Sequence, residues 1–122
     1  MNKTKNITLN TEENLQKSVI EYLRYQYPDV LFHANYLSEY DIMIFRAVKQ
    51  KRGDIKYGLF IELKRENEKL FLKDDFTYKN EHIINQSMII EKLNREGYSA
   101  WFCMGFDATK TVIDLYLKGE EK

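Results

Sequence analysis

Hydrophobic positions along the chain follow two different rhythms. Between residues 11 and 27, Leu15, Val19, Ile20, Leu23 and Tyr27 recur at the three- and four-residue spacing of a helix face, and Pro28 then removes the amide a further turn would need. Asn10, three residues ahead of Glu13, supplies a capping pair for the start. With Glu13 accounted for, stepping back by fours from Leu23 leaves Glu12 at the edge of the inward face. The rhythm then shortens. Three runs rich in β-branched and aromatic residues, Val30 to Asn35, Asp41 to Val48 and Tyr57 to Leu63, read as consecutive strands, and Lys49 to Asp54 with its single glycine serves as a hairpin turn.

Residues 66–81 are charged and polar with isolated aromatics, as in a long loop. Helical spacing returns over His82 to Glu96, through Ile83, Ile84, Met88, Ile89, Ile90 and Leu93, and Gly97 stops it. Tyr98 to Met104 is a fourth strand, and Asp107 is placed to cap a last helix holding Val112, Ile113, Tyr116 and Leu117. The order α-β-β-β-α-β-α predicts an α/β (α+β) domain in which helices flank both faces of a mixed sheet. Residues 1–122 are expected to form one domain, with 1–8 and 118–122 as flexible ends.

Composition narrows the chemistry. Nineteen basic and nineteen acidic side chains cancel, so the molecule as a whole does not attract nucleic acid, although a local basic strip still could. One cysteine, Cys103, inside an apolar run reads as a small buried hydrophobe, and with only two histidines there is no ligand set for structural zinc. Any bound metal is expected to be held by oxygen. No apolar run approaches the roughly 18 residues of a membrane span, so no membrane partner is expected and the expected location is cytoplasmic, in a bacterial host cell if the protein is phage-encoded.

The third strand breaks its apolar pattern at Phe60-Ile61-Glu62-Leu63-Lys64. Period-two alternation puts Glu62 and Lys64 on one face. If the hairpin is centred near Lys51 and Arg52, Asp41 lies across from Glu62 on that same face, and a slip of one residue would remove it. Two carboxylates beside an amine suit phosphodiester hydrolysis. Asp41, Glu62 and the Leu63 carbonyl would hold Mg²⁺ or Mn²⁺, while Lys64 would orient water or offset charge in the transition state. The triplet by itself is weak evidence, since Glu120-Glu121-Lys122 repeats it near the end of the chain. Its position in an apolar strand beside an aspartate at the start of the neighbouring strand is what makes the first copy informative.

The succession Glu12-x-x-x-Gln16, Asp41-Ile42-Met43-Ile44, Ile61-Glu62-Leu63-Lys64 and Gln86, followed by Gly97-Tyr98, resembles the VRR-NUC branch of the PD-(D/E)XK nucleases, with a restriction-endonuclease-like core. That resemblance spans about Glu12 to Leu117. It implies that Glu12 joins Asp41 and Glu62 at the metal and that Gln86 positions water or the scissile phosphate. It further implies a homodimeric, structure-selective endonuclease acting on branched DNA such as four-way junctions, with no small-molecule cofactor. The segment Ser38-Glu39-Tyr40 replaces the family's usual lead-in to the first acid, and 66–81 is longer than the family's link. Arg46, Lys49, Lys51, Arg52, Arg65 and Lys69 are candidate phosphate contacts, and His82 could reach the centre from the turn before Gln86. A nuclease-like module that binds nucleic acid or protein without cleaving, such as a phage-encoded inhibitor, is the alternative.

Overall fold

The computed structural model describes residues 12–35 and 41–122, and of Glu12 the backbone alone. The Asn10 cap and the 36–40 lead-in therefore lie outside the described residues. Helix α1 (Glu12–Gln26) buries Leu15, Val19 and Leu23, the four-residue series that defined its inward face. Strands β1 (Phe32–Ala34), β2 (Ile42–Ile44), β5 (Leu59–Lys64) and β6 (Ser99–Met104) form one sheet in the order β1-β2-β5-β6. The first two junctions are antiparallel and β5-β6 is parallel. A parallel neighbour needs a crossover, and helix α2 (Glu81–Arg95) provides it; helix α3 (Gly105–Leu117) follows β6.

The sheet has two differently used faces. Ile42, Ile44, Leu59, Ile61, Leu63 and Cys103 pack with Leu15, Val19 and Leu23 of α1 and Ile113 and Tyr116 of α3 in one apolar cluster. Burial pushes the Cys103 thiol up to about 12, consistent with its reading as a packing residue. Helix α2 lies on the other face, which carries Glu62 and Lys64. Asn94 clasps Ala100 of β6 through both amide atoms, accepting from its N–H and donating to its carbonyl at 3.0 Å each.

Between β2 and β5 runs a second, two-stranded ribbon of β3 (Val48–Lys49) and β4 (Ile55–Lys56). The run Asp41 to Val48 is thus not one strand, and the hairpin is offset by one residue partway along. Ile42 pairs with Ile61, whereas Val48 pairs with Lys56. The first strand therefore uses one more residue between the two ladders, a bulge of the kind that bends a ribbon. The Tyr116 hydroxyl lies 2.6 Å from the Arg46 carbonyl and 3.0 Å from that of Lys56, one on each side of the break.

Two further expectations change. Helix α3 starts at Gly105 after Met104, without a side-chain cap, and Asp107 instead sits in the first turn, where the helix dipole favours an acid. Residues 118–122, expected to be loose, dock on the β3-β4 turn. The Lys51 N–H donates to the Gly119 carbonyl, Gln50 joins Tyr116 and Glu121, and Arg52 reaches Glu121 and Lys122. Helix α2 is capped by Asn80, whose side chain accepts from the Ile83 N–H.

Candidate active site

The β2-β5 ladder ends at the Ile42-Ile61 pair, with Asp41 one residue before it and Glu62 one residue after it on the partner strand. The face is set by alternation. Ile61 and Leu63 belong to the apolar cluster, so Glu62 lies on the other side with Phe60 and Lys64. Asp41 itself stands outside the regular ladder, since its N–H bonds to the β5 side and its carbonyl to the β1 side.

Asp41 stands at a bend just before β2 and is held from four directions. Its N–H donates to the Ile61 carbonyl at 2.9 Å, and its own carbonyl accepts from the Asn35 N–H and from Gln16 Nε2, each at 2.9 Å. Its carboxylate Oδ2 accepts the Leu63 N–H at 2.6 Å. The side chain is therefore fixed against the backbone of the strand that carries Glu62 and Lys64, and among the described residues Oδ1 has no hydrogen bond. Gln16, 2% exposed on α1 and quoted in the motif Glu12-x-x-x-Gln16, is a positioning residue to which sequence reasoning assigned no role of its own.

Glu62 and Lys64 are 5% and 4% exposed, an unusual burial for charged side chains. Lys64 Nζ lies 3.8 Å from Glu68 Oε2 and 5.9 Å from the centre of the Phe102 ring. The Glu68 N–H donates to the Arg65 carbonyl, closing a turn directly after β5 that brings this carboxylate back over the strand end. Neither Glu68 nor Phe102 was legible in advance. Glu68 sits in what reads as an irregular loop, and Phe102 is brought beside Glu62 only by parallel pairing of β5 with β6.

Gln86 is 6% exposed on the inward face of α2, one turn from buried Ile83. Its Oε1 is buried without a hydrogen-bond partner among the described residues. An unpaired buried amide oxygen is costly in a purely structural setting. Among the described residues no three His, Cys, Asp or Glu side chains gather into a metal cluster. The oxygens at hand are the carboxylates of Asp41 and Glu62 and the Gln86 amide; an all-oxygen set of this kind fits a hard divalent cation. The side chain of Glu12 lies outside the described residues.

The basic candidates separate. Arg65 follows β5 directly and Lys69 lies in the next turn, both exposed. Lys51 and Arg52 occupy the far end of the ribbon and pair with Glu120, Asp54 and Glu121. Arg46 donates to the Asp29 carbonyl, and Lys49 is exposed in β3 beside the same distal turn. His82 is exposed in the first turn of α2.

A helix-flanked mixed sheet with its charged cluster at the end of the two central strands defines a restriction-endonuclease-like fold. A solved structure described as a VRR-NUC domain protein shares it, with a TM-score of 0.62, 24% sequence identity and coverage of 88% of each chain. No family model matches the sequence, and no curated protein does. The resemblance read from the motifs is thus met by a likeness in fold.

Proposed function

We propose that the protein is a metal-dependent endonuclease that hydrolyses DNA phosphodiester bonds, selective for branched DNA such as four-way junctions and acting in the cytoplasm as a homodimer. One observation carries this reading: the Asp41 carboxylate is bonded to the Leu63 N–H, between the buried charged residues Glu62 and Lys64 of a central strand. Asp41 and Glu62, with the Leu63 carbonyl and Glu12 as further donors, would hold Mg²⁺ or Mn²⁺. When bound, such an ion neutralises phosphate charge and makes a water acidic enough to attack near neutral pH.

The residues themselves do the rest. Hydrogen bonding of Asp41 to the Leu63 amide fixes one carboxylate before substrate arrives, so little reorganisation is needed. Lys64 offsets charge developing on the phosphate or steers the attacking water, and Gln86 Oε1 accepts a hydrogen bond from that water. Arg65 and Lys69 hold the adjacent phosphates. A two-fold pair of such centres suits symmetric incision of a junction.

The test is a gel assay of linear duplex, flap and four-way junction with Mg²⁺ or Mn²⁺. Cleavage is expected to stop with chelator and in Asp41→Asn. Full activity in that variant, or DNA binding without cleavage in either metal, would overturn the reading; the second outcome would favour a non-cleaving nuclease-like module.

A further inference from the structure

The excursion between β5 and α2 is more ordered than its composition suggests. Residues 70–79 form a short hairpin: the Leu72 N–H donates to the Thr77 carbonyl at 2.8 Å and the Lys79 N–H to the Leu70 carbonyl at 2.7 Å. Phe71 and Tyr78 pair across it, their rings stacked at 4.8 Å and 21°. Asp74 closes the tip by accepting from the Phe76 and Thr77 amides and from the Thr77 hydroxyl, and Asp75 takes the left-handed conformation, φ 65°.

At that fixed tip Phe76 is 79% exposed and Leu72 48%. A rigid turn that holds a phenylalanine in water has built a contact surface, because ordering the ring in advance removes an entropic cost from whatever binds it. Lys69 just before the hairpin and Lys73 and Lys79 along it are exposed, and none is in an ion pair among the described residues. Two exposed acids, Asp74 and Asp75, share the tip with them, the Asp74 carboxylate being held by the Phe76 and Thr77 hydrogen bonds. The hairpin leaves the sheet just after Lys64 and Arg65 and returns at Asn80, the cap of the helix that carries Gln86, so it stands on the rim of the candidate centre.

We propose that this hairpin is a DNA-engaging wedge, with the Phe76 ring stacking on an unpaired base at a branch point while Lys69, Lys73 and Lys79 contact the flanking phosphates. The chemistry is that of aromatic platforms for exposed bases, which a fully stacked duplex does not offer. The proposal rests on the nuclease reading for its substrate class, and it needs no cleavage to be tested.

The full-length protein in Ca²⁺ is titrated into a forked DNA with 2-aminopurine at the first unpaired position, and into linear duplex of equal length. Wild type is expected to bind the fork more tightly and to change the probe fluorescence. Phe76→Ala should weaken fork binding on the order of tenfold and abolish the fluorescence change, leave duplex binding unaltered, and melt at the wild-type temperature; Phe76→Trp should retain both signals. Equal fork binding by wild type and Phe76→Ala would overturn the wedge and point to a protein partner for the tip, as would equal losses on fork and duplex or no DNA binding at all. Absence of cleavage in any metal, with the Phe76 effect intact, would sink the nuclease reading and leave the wedge standing.

Discussion

The two ends of the central ribbon both bury polar side chains, and they use them differently. At the turn end, Gln50 is 1% exposed and both ends of its amide are engaged, Nε2 with the Tyr116 carbonyl and Oε1 with the Glu121 N–H. Glu121 Oε1 accepts from the Ser99 hydroxyl at 2.8 Å and from Arg52 at 3.1 Å. This network fastens the C-terminal residues to the hairpin and to β6. At the opposite end, Asp41 Oδ1 has no hydrogen bond among the described residues, Lys64 has a distant carboxylate partner at 3.8 Å, and Gln86 Oε1 is buried with none among the described residues. Burial of polar groups is thus a poor guide to function by itself. Unsatisfied burial alone does not separate them either, since Glu121 Oε2 is also buried without a partner among the described residues. What distinguishes the ends is that the Glu121 carboxylate is met by an arginine and a hydroxyl, whereas Lys64 has only the 3.8 Å Glu68 pair and Gln86 Oε1 has no partner among the described residues.

The sharpest way to break that contrast is at Asp41. Asparagine keeps an oxygen for the Leu63 amide and loses the charge, so Asp41→Asn should lower single-turnover cleavage by about 10³-fold or more, as loss of a central charge-stabilising group does, with little change in thermal stability. A large drop in melting temperature together with preserved cleavage would show this end to be structural as well. Lys64 comes next. Lys64→Ala is expected to cost about 10²-fold. Glu68→Gln should cost about tenfold in kcat with KM unchanged, because it releases a positioned ammonium, and Glu68→Asp should restore part of it; unchanged kcat in Glu68→Gln would mean that the 3.8 Å pair does not position Lys64.

How much of this was legible beforehand follows from what each signal depends on. The Ile42-Ile61 pairing needs only a hairpin centre, readable from the position of Lys49 to Asp54, and the register found there is the one expected, whereas alternation stops short of Asp41, whose N–H and carbonyl bond to opposite neighbours. The ribbon's bulge was not readable, because nothing local in Phe45-Arg46-Ala47 marks an extra residue; it is stabilised by Tyr116 from 60 to 70 positions away. The docked C-terminus was missed for a related reason. Glu120-Glu121-Lys122 looks like a solvated charged end, and only the folded ribbon brings Gln50, Arg52 and Ser99 to it. Glu68 and Phe102 reach Lys64 through a turn and a parallel pairing, neither of which leaves a short-range pattern.

The turn end supplies the complementary test. Gln50→Ala strands the Glu121 amide in a buried setting, while the Tyr116 carbonyl keeps the Gly119 N–H, so it should destabilise the fold by about 1–3 kcal/mol, measured by urea unfolding, while cleavage per folded molecule stays near wild type. Gly119 makes the same point from the backbone. Its φ is +72° and a Cβ there would come 2.7 Å from the Lys49 carbonyl, so Gly119→Ala should be at least as costly as the loss of Gln50.

The smallest expected effect separates the basic residues. Lys51 pairs with Glu120 at 2.9 Å with its own side chain 75% exposed, and such surface pairs contribute about 0–1 kcal/mol. Lys51→Ala should therefore barely move stability. Standing far along the ribbon from Asp41, it should also leave the salt dependence of DNA binding as it was. Arg65, exposed at the end of β5 beside Lys64, should behave otherwise. Losing one phosphate contact lowers the slope of log affinity against log salt by about one, which anisotropy titrations between low and moderate salt resolve. If Lys51→Ala and Arg65→Ala reduce the slope equally, DNA runs the length of the ribbon, and the division between a reactive end and a structural end would have to be redrawn.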